Sequence, residues 1–267
     1  MAIISVTSGK MEYLAAEGIA APHCFTTRRG GVSTGYLDSL NLGIHRGDEA
    51  CNVAQNFRIL AHAVGVEPAQ LVVTRQIHSD IVRQVDKADW GKHILDGASP
   101  ECDALITNTP GTALVVFTAD CTPILLHDPV TGAVGAVHAG WRGTAAGIAE
   151  KTVLAMVSAF GCRPGDIRAA IGPNISQCCF QTDGDVPEAM VAALGDEAKP
   201  FIRQSGQKYY VNLKEINARF LRRAGVEKIE IAPHCTACQP ELFWSHRITG
   251  GRRGSQGAVI VCKEGAK

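Results

Sequence analysis

A thiol and an imidazole stand at the ends of two apolar runs between residues 117 and 143. Cys121 precedes the first run and His138 follows the second, with turn-forming residues 128–132 between the runs. A hairpin of this kind brings the two side chains together, and thiolate and imidazole are good ligands for zinc or copper. Residues 140–143 lead into an alanine-rich helix whose first N–H groups are free. The stretch therefore predicts a metal site beside the start of a helix.

His78 is the third candidate ligand. It follows a strand-like run, residues 71–75, at a position where a side chain can point into a cleft. A single histidine at a strand end is more often a structural residue, so its role depends on whether it meets Cys121 and His138. Three protein ligands with one open position are the pattern of catalytic zinc, whereas structural zinc usually has four protein ligands.

Arg28 and Arg29 open a glycine-rich loop that covers residues 28–35. Free backbone N–H groups and guanidinium groups can hold an anion such as phosphate, although no Gly-Lys-Ser/Thr of a Walker loop follows. The simpler interpretation of this loop on its own is a tight surface turn with solvated arginines. Both interpretations stay open at this point.

The chain has ten cysteines, of which Cys235 and Cys238 have the CxxC spacing of a zinc or redox pair. The sequence has no second CxxC, so a four-cysteine zinc site is not expected. The adjacent Cys178 and Cys179 are interpreted as packing residues of a tight loop. Most of the other cysteines are expected to be small buried side chains, because free cysteine is among the most buried residue types.

The bulk composition is that of an ordinary globular chain. Of its 267 residues, 46% are hydrophobic and 19% are charged, and 26 basic residues balance 26 acidic ones. This balance argues against nucleic acid or an anionic membrane surface as a partner. The first residues lack the pattern of a signal peptide, and no apolar run approaches the roughly 18 residues of a membrane span. We therefore expect a cytoplasmic protein.

Strand-like and helical segments are interleaved along the chain. Helices are predicted over residues 48–65, 144–160, 186–194 and 212–224. Several strands follow one another directly, which favours a mixed α/β fold over a doubly wound parallel sheet. The prediction is one domain, residues 1–267, with a mixed central sheet flanked by helices.

Short motifs recur in order over almost the whole chain. They are TTRRGGVS at 26–33, SLNLG at 39–43, QIHS at 76–79, CDALIT at 102–107, TADCTP at 118–123, HAGWRG at 138–143, IGPNI at 171–175 with CCF at 178–180, and CT at 235–236 with WSHR at 244–247. Taken together, these motifs resemble the bacterial YfiH family, also called the multicopper polyphenol oxidoreductase (laccase-like) family. That family is related to a eukaryotic purine nucleoside-metabolising enzyme.

The resemblance implies an α/β/α-type fold and a metal site formed by His78, Cys121 and His138. Zinc is the expected metal, with copper as the alternative. Zinc that keeps an open position supplies hydroxide at neutral pH, because it lowers the pKa of bound water to about 7.

The resemblance also points to residues that would handle substrate and protons. It implies that Arg28 contacts substrate or phosphate, and Asn41 and Arg142 are further candidates for this role. Arg142 is placed there by its position at a predicted helix N-terminus. Asp103 and Asp120 are the candidate catalytic carboxylates, and either one can instead be a structural hydrogen-bond acceptor.

The activity implied by the resemblance is that of a metal-dependent purine nucleoside enzyme. The expected reaction is phosphorolysis of adenosine, inosine and S-methyl-5′-thioadenosine to base plus ribose 1-phosphate, with adenosine deamination beside it. The expected partners are therefore a nucleoside and phosphate, without nucleic acid or membrane. The protein is expected to be a monomer or a weak homo-oligomer.

Two other enzyme classes stay open. A copper-dependent polyphenol oxidase of the laccase type is disfavoured, because a multicopper cluster needs about ten histidine ligands and the chain has nine histidines in all. A cysteine hydrolase or editing factor in peptidoglycan precursor synthesis would use Cys121 as nucleophile and His138 as base, if no metal is bound.

Overall fold

Apolar, β-branched runs of the sequence form the strands of the computed structural model, which describes residues 2–263. In chain order the strands are β1 (Ile3–Ser8), β2 (Met11–Ala16), β3 (His23–Thr26), β4 (Leu71–Val72), β5 (Val82–Gln84), β6 (Ala104–Thr107), β7 (Ala113–Thr118), β8 (Thr122–His127), β9 (Val134–Ala139), β10 (Arg168–Ile171), β11 (Gln181–Thr182), β12 (Ile202–Ser205), β13 (Lys208–Val211), β14 (Lys228–Ile231) and β15 (Gln256–Val261). The inner strands β8, β9 and β15 are buried along their whole length.

The helices form where apolar residues recur at helical spacing. In chain order they are α1 (Ala50–Val64), α2 (Trp141–Ala145), α3 (Ile148–Phe160), α4 (Asp185–Leu194), α5 (Leu213–Arg223) and α6 (His246–Thr249). The predicted start of α5 is confirmed, because the Asn212 side chain accepts a hydrogen bond from the backbone N–H of Glu215 at 3.3 Å. Such an N-cap satisfies one of the free N–H groups of the first turn.

Two predicted helices differ from the observed ones. The first begins one residue later than predicted, with Glu49 as N-cap, because the Asp48 carboxylate is engaged elsewhere. It accepts hydrogen bonds from Ser33 at 2.6 Å and from Asn41 at 2.8 Å. The segment predicted as one helix over 144–160 is split into α2 and α3, since Gly147 adopts a left-handed φ of 75° that ends α2.

The strands of residues 2–263 form two six-stranded sheets and one three-stranded sheet. The first sheet has the order β1-β2-β3-β15-β7-β4, the second β14-β10-β8-β9-β6-β5, and the small one β11-β13-β12. Within the two large sheets, β4–β7, β5–β6 and β10–β14 are parallel pairs and the other pairs are antiparallel. Both large sheets are therefore mixed.

The two large sheets pack face to face, because alternate residues of their strands point into one shared apolar core. Leu114 of β7 and Leu125 of β8 enter this core from opposite sheets. Val115, the next residue of β7, packs on the outer side against α1, and Ile124 of β8 packs on the other outer side with α3 and α5. The layers are thus helix, sheet, sheet and helices. The predicted mixed α/β class is confirmed, with two stacked sheets in place of one.

Two connections cross from the first large sheet to the second. Residues 73–81 leave β4 of the first sheet and enter β5 of the second. Residues 119–121 lead in the same direction from β7 to β8. The candidate ligands His78 and Cys121 lie on these two crossings, so the stacking of the sheets decides whether they meet.

Within the described part of the chain, no helix combines the length and the apolar character that a bilayer crossing requires.

Candidate active site

Cys121 and His138 are brought together by the β8–β9 hairpin. Cys121 directly precedes β8, and the strand register pairs Thr122 with Ala139 and Pro123 with His138. His138 lies within β9 and not after it, since the strand continues to Ala139. Its side chain is buried, with 3% of its surface exposed, whereas Cys121 is half-buried. The hairpin predicted from the sequence therefore places both side chains as expected.

His78 completes the group from the other crossing. Its Nε2 atom lies 3.7 Å from the Sγ atom of Cys121, and its ring meets the His138 ring edge to face at a centroid distance of 4.9 Å. The three possible ligand atoms all lie within 4.8 Å of one another. Gly140 allows this close approach, because a Cβ atom at that position would lie 2.6 Å from the His78 ring.

One buried carboxylate positions two of these three residues. Oδ1 of Asp103 accepts hydrogen bonds from Nδ1 of His138 at 2.8 Å and from the backbone N–H of His78 at 3.0 Å. Oδ2 accepts from the backbone N–H and the hydroxyl of Ser79, both at 2.7 Å. Because Nδ1 of His138 faces Asp103, Nε2 is the nitrogen left for a ligand. Asp103 thus fixes the tautomer of His138 and the position of the loop that carries His78 and Ser79.

The electrostatics of the site favour a thiolate. Burial alone would raise the pKa of the Cys121 thiol, but His138 and His78 outweigh burial and lower this pKa to about 6. Burial opposes charge on His138, yet the Cys121 thiolate and the Asp103 carboxylate raise the His138 pKa to about 9. Burial likewise opposes charge on Asp103, but its hydrogen bonds to His138 and Ser79 lower its pKa to about 2. At neutral pH the sulfur is therefore in the form that binds metals.

The donor set fits a zinc or copper ion. One thiolate and two imidazoles are suitable ligands for either metal. The 3.7 Å between Cys121 Sγ and His78 Nε2 is close to the about 3.6 Å expected between sulfur and nitrogen ligands of tetrahedral zinc. A metal-binding histidine commonly donates its other N–H to a carboxylate, as His138 does to Asp103.

These three residues open on a cavity of about 290 Å³. Its walls come from the end of β7 with Phe117 and Thr118, from residues 43–46 and from residues 253–255. Arg46, Arg75 and Arg253 bring positive charge to the lining. The volume lies at the lower end of the range of about 300–1,000 Å³ that is usual for small-molecule sites.

Arg253 is the unusual cation of the cavity. Its Nη1 group donates to the carbonyl of Gly254 at 2.9 Å and to the hydroxyl of Ser255 at 3.0 Å. Its Nε atom is buried and has no hydrogen-bond partner within residues 2–263. Burial, and then the charge of Arg46, lower the Arg253 pKa to about 10, which leaves the guanidinium charged at neutral pH. Because this charged side chain lines the cavity, it favours an anionic ligand there.

A family model described as "Multi-copper polyphenol oxidoreductase laccase" matches residues 22–263. The chain belongs to this family. The match covers all of the residues that line the cavity. The family resemblance seen in the sequence motifs is thereby confirmed.

The chain is similar to named members of this family and to a crystal structure of one of them. The chain is 38% identical over 244 residues to purine nucleoside phosphorylase YlmD of Geobacillus stearothermophilus, covering 90% of this chain and 89% of that protein. It is 39% identical over 241 residues to purine nucleoside phosphorylase YfiH of Escherichia coli, covering 90% and 93%. The crystal structure of YlmD from Geobacillus stearothermophilus superposes with a TM-score of 0.92 at 36% identity, over 98% of this chain and 100% of that one.

The family resemblance suggested Arg28 as an anion contact, and the structure places it in a different environment. Nε of Arg28 donates to the carbonyl of Asp38 at 3.0 Å, and Nη1 donates to the carbonyl of Pro240 at 2.8 Å. The guanidinium group also stacks 3.9 Å above the Trp244 ring. Burial lowers the pKa of Arg28. Arg28 joins three segments of the chain and does not line the cavity described above.

Asn41 and Arg142, the other suggested substrate contacts, also lie outside the cavity lining. Asn41 is fully buried, and its Oδ1 atom accepts from the backbone N–H groups of Gly43 at 2.8 Å and Ser255 at 3.1 Å. It therefore holds two residues that do line the cavity. Arg142 is exposed on α2, where its guanidinium group lies 4.2 Å from the Trp141 ring.

The Asp120 carboxylate accepts hydrogen bonds from a segment that is distant in sequence. Its Oδ1 atom accepts from the Thr236 hydroxyl at 2.6 Å. Its Oδ2 atom accepts from the Ser245 hydroxyl at 3.1 Å and from the backbone N–H of Arg247 at 2.7 Å. The residue has a left-handed φ of 88°, which turns the chain just before Cys121. Asp120 thus ties the start of β8 to residues 236–247.

Sequence reasoning missed two features of the molecule. Arg253 was part of a basic pair too short to predict a binding surface, and only the turn of residues 250–254 brings it to the cavity. The second feature is a group of four cysteines. The structure brings Cys178 and Cys179 to Cys235 and Cys238, with all four sulfur atoms within 4.8 Å of one another. The expectation that no four-cysteine group forms overlooked Cys178 and Cys179, because they lack the CxxC spacing. Cys179 also packs against Ile175 and Ala237, in keeping with the packing interpretation.

Proposed function

We propose that this chain is a metal-dependent purine nucleoside phosphorylase that uses the His78, Cys121 and His138 group. Its substrates would be adenosine, inosine and S-methyl-5′-thioadenosine, each cleaved by phosphate to the base and a pentose 1-phosphate. The observation that carries the proposal is the shared cavity, whose lining includes three possible metal ligands and the charged Arg253 side chain. The relatives named purine nucleoside phosphorylase support the same reaction.

Phosphorolysis needs a site for an anion near the sugar. A phosphate oxygen forms a bond to C1′, the bond from C1′ to the base nitrogen breaks, and its electron pair leaves with the base, which then takes up a proton. Arg253 is suited to bind this phosphate, because it lines the cavity and stays charged at neutral pH. Exposed Arg46 lies close enough to affect the Arg253 pKa and adds a second positive charge.

The nucleoside would bind between this anion site and the metal ligands. Thr118 lines the cavity, and its buried hydroxyl has no hydrogen-bond partner within the described residues, which leaves it available to a sugar hydroxyl or a base nitrogen. Phe117 adds apolar surface beside it. A zinc or copper ion held by His78, Cys121 and His138 would supply Lewis acidity in the cavity.

We assign Asp103 and Asp120 positioning roles in place of the catalytic roles considered from sequence. Each carboxylate oxygen of both residues already accepts a hydrogen bond from the protein. Asp103 keeps Nε2 of His138 available, and Asp120 keeps Cys121 in place at the start of β8. Adenosine deamination, the second reaction we propose, would use water in place of phosphate at the same cavity and release ammonia.

The test is product analysis with purified, zinc-loaded protein. Inosine with phosphate is expected to yield hypoxanthine and ribose 1-phosphate, whereas inosine without phosphate yields no hypoxanthine. Adenosine without phosphate is expected to yield inosine and ammonia. Absence of any phosphate-dependent base release, from all three nucleosides, would overturn the proposal. Absence of inosine alone would remove only the deamination.

A second candidate function is supported by the Cys121–His138 pair. A thiolate beside a charged imidazole is the arrangement of cysteine hydrolases, including the editing role in peptidoglycan precursor synthesis suggested above. Removing the metal separates the two functions. A chelator would abolish phosphorolysis but would activate a cysteine hydrolase, in which an acyl group on Cys121 could be detected by mass spectrometry.

The polyphenol oxidase activity in the family description receives less support from the ligands. The two groups of possible metal ligands within residues 2–263 contain two histidines and five cysteines. A multicopper oxidase needs several histidines at each of its copper centres.

We place the enzyme in the cytoplasm, where Cys121 stays reduced, since its thiolate is needed as a ligand.

A further inference from the structure

The four cysteines outside the cavity form a compact group. Cys178 and Cys179 lie in the loop after β10, and Cys235 and Cys238 lie in the loop after β14. Sγ of Cys238 is 3.6 Å from Sγ of Cys178 and 3.3 Å from Sγ of Cys179. Sulfur ligands of tetrahedral zinc lie about 3.8 Å apart, given a Zn–S length of about 2.3 Å. The spacing of the group therefore matches a zinc–thiolate site.

The fold holds the two loops together without help from the sulfur atoms. β10 and β14 are parallel neighbours, so both loops leave the sheet at the same edge. The loops are then paired once more by a bridge between Asn174 and Cys235, with a hydrogen bond from Thr236 N–H to the Asn174 carbonyl at 2.9 Å. The sulfur positions are thus set by backbone contacts, as preorganised ligands are.

A buried cation lies behind the cysteines. Lys214 of α5 is only 5% exposed, and its Nζ group donates to the carbonyls of Ala232 and His234, both at 2.7 Å, and to the Ser176 hydroxyl at 3.1 Å. No carboxylate forms an ion pair with it within residues 2–263. Buried ammonium groups usually have an anionic partner.

The cysteines can supply that missing negative charge. A zinc ion with four thiolates carries a formal charge of about −2, and Lys214 lies close enough to Cys235 and Cys178 to interact with them electrostatically. The backbone N–H of Ser176 also donates to Sγ of Cys235 at 3.3 Å. The surroundings are therefore built for a negatively charged sulfur cluster and not for four neutral thiols.

We propose that Cys178, Cys179, Cys235 and Cys238 bind one zinc ion in a closed, structural site. Four protein ligands leave no position for substrate, which distinguishes this site from the three-ligand group. The proposal does not depend on the proposed phosphorolysis. Two disulfides are the competing arrangement. They would need contact only within each pair of sulfur atoms, whereas here Sγ of Cys238 lies close to Sγ of both Cys178 and Cys179.

The closed site would stabilise the wall of the active site. Thr236 lies between two of the proposed ligands, and its hydroxyl holds Asp120 next to Cys121. Arg247 donates to the carbonyl of Cys179 at 2.9 Å, and its own backbone N–H donates to Asp120. Zinc in the cluster would thus fix the loops that position Cys121, without touching the substrate.

Zinc content of paired variants tests this proposal. Proteins are prepared with zinc and reductant, dialysed into metal-free buffer and analysed for zinc per chain. The wild type is expected to hold two ions. The double variant His78→Ala with Cys121→Ser should hold one, and so should the double variant Cys178→Ser with Cys238→Ser. Cys51→Ser, which changes an exposed cysteine on α1, is the matched control and should hold two.

The variant that lacks the first site gives the decisive result, because it keeps all four cluster cysteines. X-ray absorption at its zinc edge should show only sulfur neighbours, at about 2.3 Å. A variant with reduced cluster thiols but no zinc, or with nitrogen neighbours, would overturn the proposal. Disulfides among these cysteines in unreduced wild-type protein would overturn it as well. This readout stands even if the double cysteine-to-serine variant fails to fold.

Discussion

The molecule contains two sulfur-bearing clusters that face opposite electrostatic surroundings. In the first, His138 is backed by the Asp103 carboxylate, and the group opens on a cavity with Arg253. In the second, thiols are backed by the Lys214 ammonium and enclosed by two loops. Neutral imidazole ligands benefit from an anion behind them, whereas thiolates benefit from a cation. The sign of the supporting charge therefore follows the ligand type, and the two groups differ in their number of possible ligands, three and four.

The largest effect on stability is expected from a change in the four-cysteine cluster. Cys238→Ser removes a thiolate ligand, and loss of a structural metal typically costs about 4 kcal/mol or more. In a chain of this length that corresponds to a Tm lowered by on the order of 10 °C. Thermal unfolding of zinc-loaded Cys238→Ser and of the control Cys51→Ser measures it. Equal Tm values for both variants would contradict a structural role.

The next largest effect is expected at the Asp103 carboxylate, which accepts a hydrogen bond from His138. Asp103→Asn keeps the shape of the side chain but removes its charge, so the tautomer and basicity of His138 are less well fixed. Loss of a carboxylate that supports a ligating histidine weakens metal binding about 10–100-fold. Chelator competition should show this loss for the first ion only. Weaker binding of the cluster ion would show that the two sites are not independent.

The anion site in the cavity is tested by Arg253→Gln. A hydrogen bond to a charged group is worth about 1.5–3 kcal/mol, so the KM for phosphate should rise about 10–100-fold. The KM for inosine should change much less. Arg252→Gln is the matched control, because Arg252 is the neighbouring residue but stacks 4.5 Å from the Tyr36 ring. The same KM shift in both variants would count against a specific phosphate contact.

The smallest expected effect concerns the charge on Cys121 in chelated protein. Its pKa is lowered to about 6, so the thiolate is present above about pH 6 and is lost as the pH falls through that value. The rate of alkylation by iodoacetamide should therefore level off above pH 7 and fall about tenfold per unit below pH 6. His138→Ala should move this midpoint toward the usual thiol value. An unchanged midpoint would remove His138 as the cause.

Local features of the fold were predictable from the sequence, whereas the pairing of distant segments was not. The β8–β9 hairpin follows from two apolar runs around a turn, and the start of α5 from Asn212. Apolar periodicity does not say which sheet a strand joins. β6 and β7 are consecutive around a tight turn, yet they belong to different sheets. The break at Gly147 was missed because the flanking alanines favour a continuous helix.

The same limit applies to the candidate sites. The sequence pointed to Cys121, His138 and His78 as one group, because a hairpin links the first two and a family motif contains each of the three. The four-cysteine cluster depends on the parallel pairing of β10 with β14, which no local pattern in the sequence reveals. The position of Arg253 at the cavity depends on the turn of residues 250–254, which the sequence alone did not predict. The partners of Asp103 also come from two separate segments, so its positioning role required the structure.

We propose that the three-ligand group performs the chemistry and that the four-cysteine cluster does not. This proposal is tested most directly by hypoxanthine release from inosine and phosphate, comparing zinc-loaded wild type with Cys121→Ser. We expect phosphate-dependent turnover in the wild type and a loss of about 10³-fold in the variant, although the variant keeps its cluster zinc and its folded state. Wild-type turnover in Cys121→Ser, or no turnover in either protein, would contradict the account.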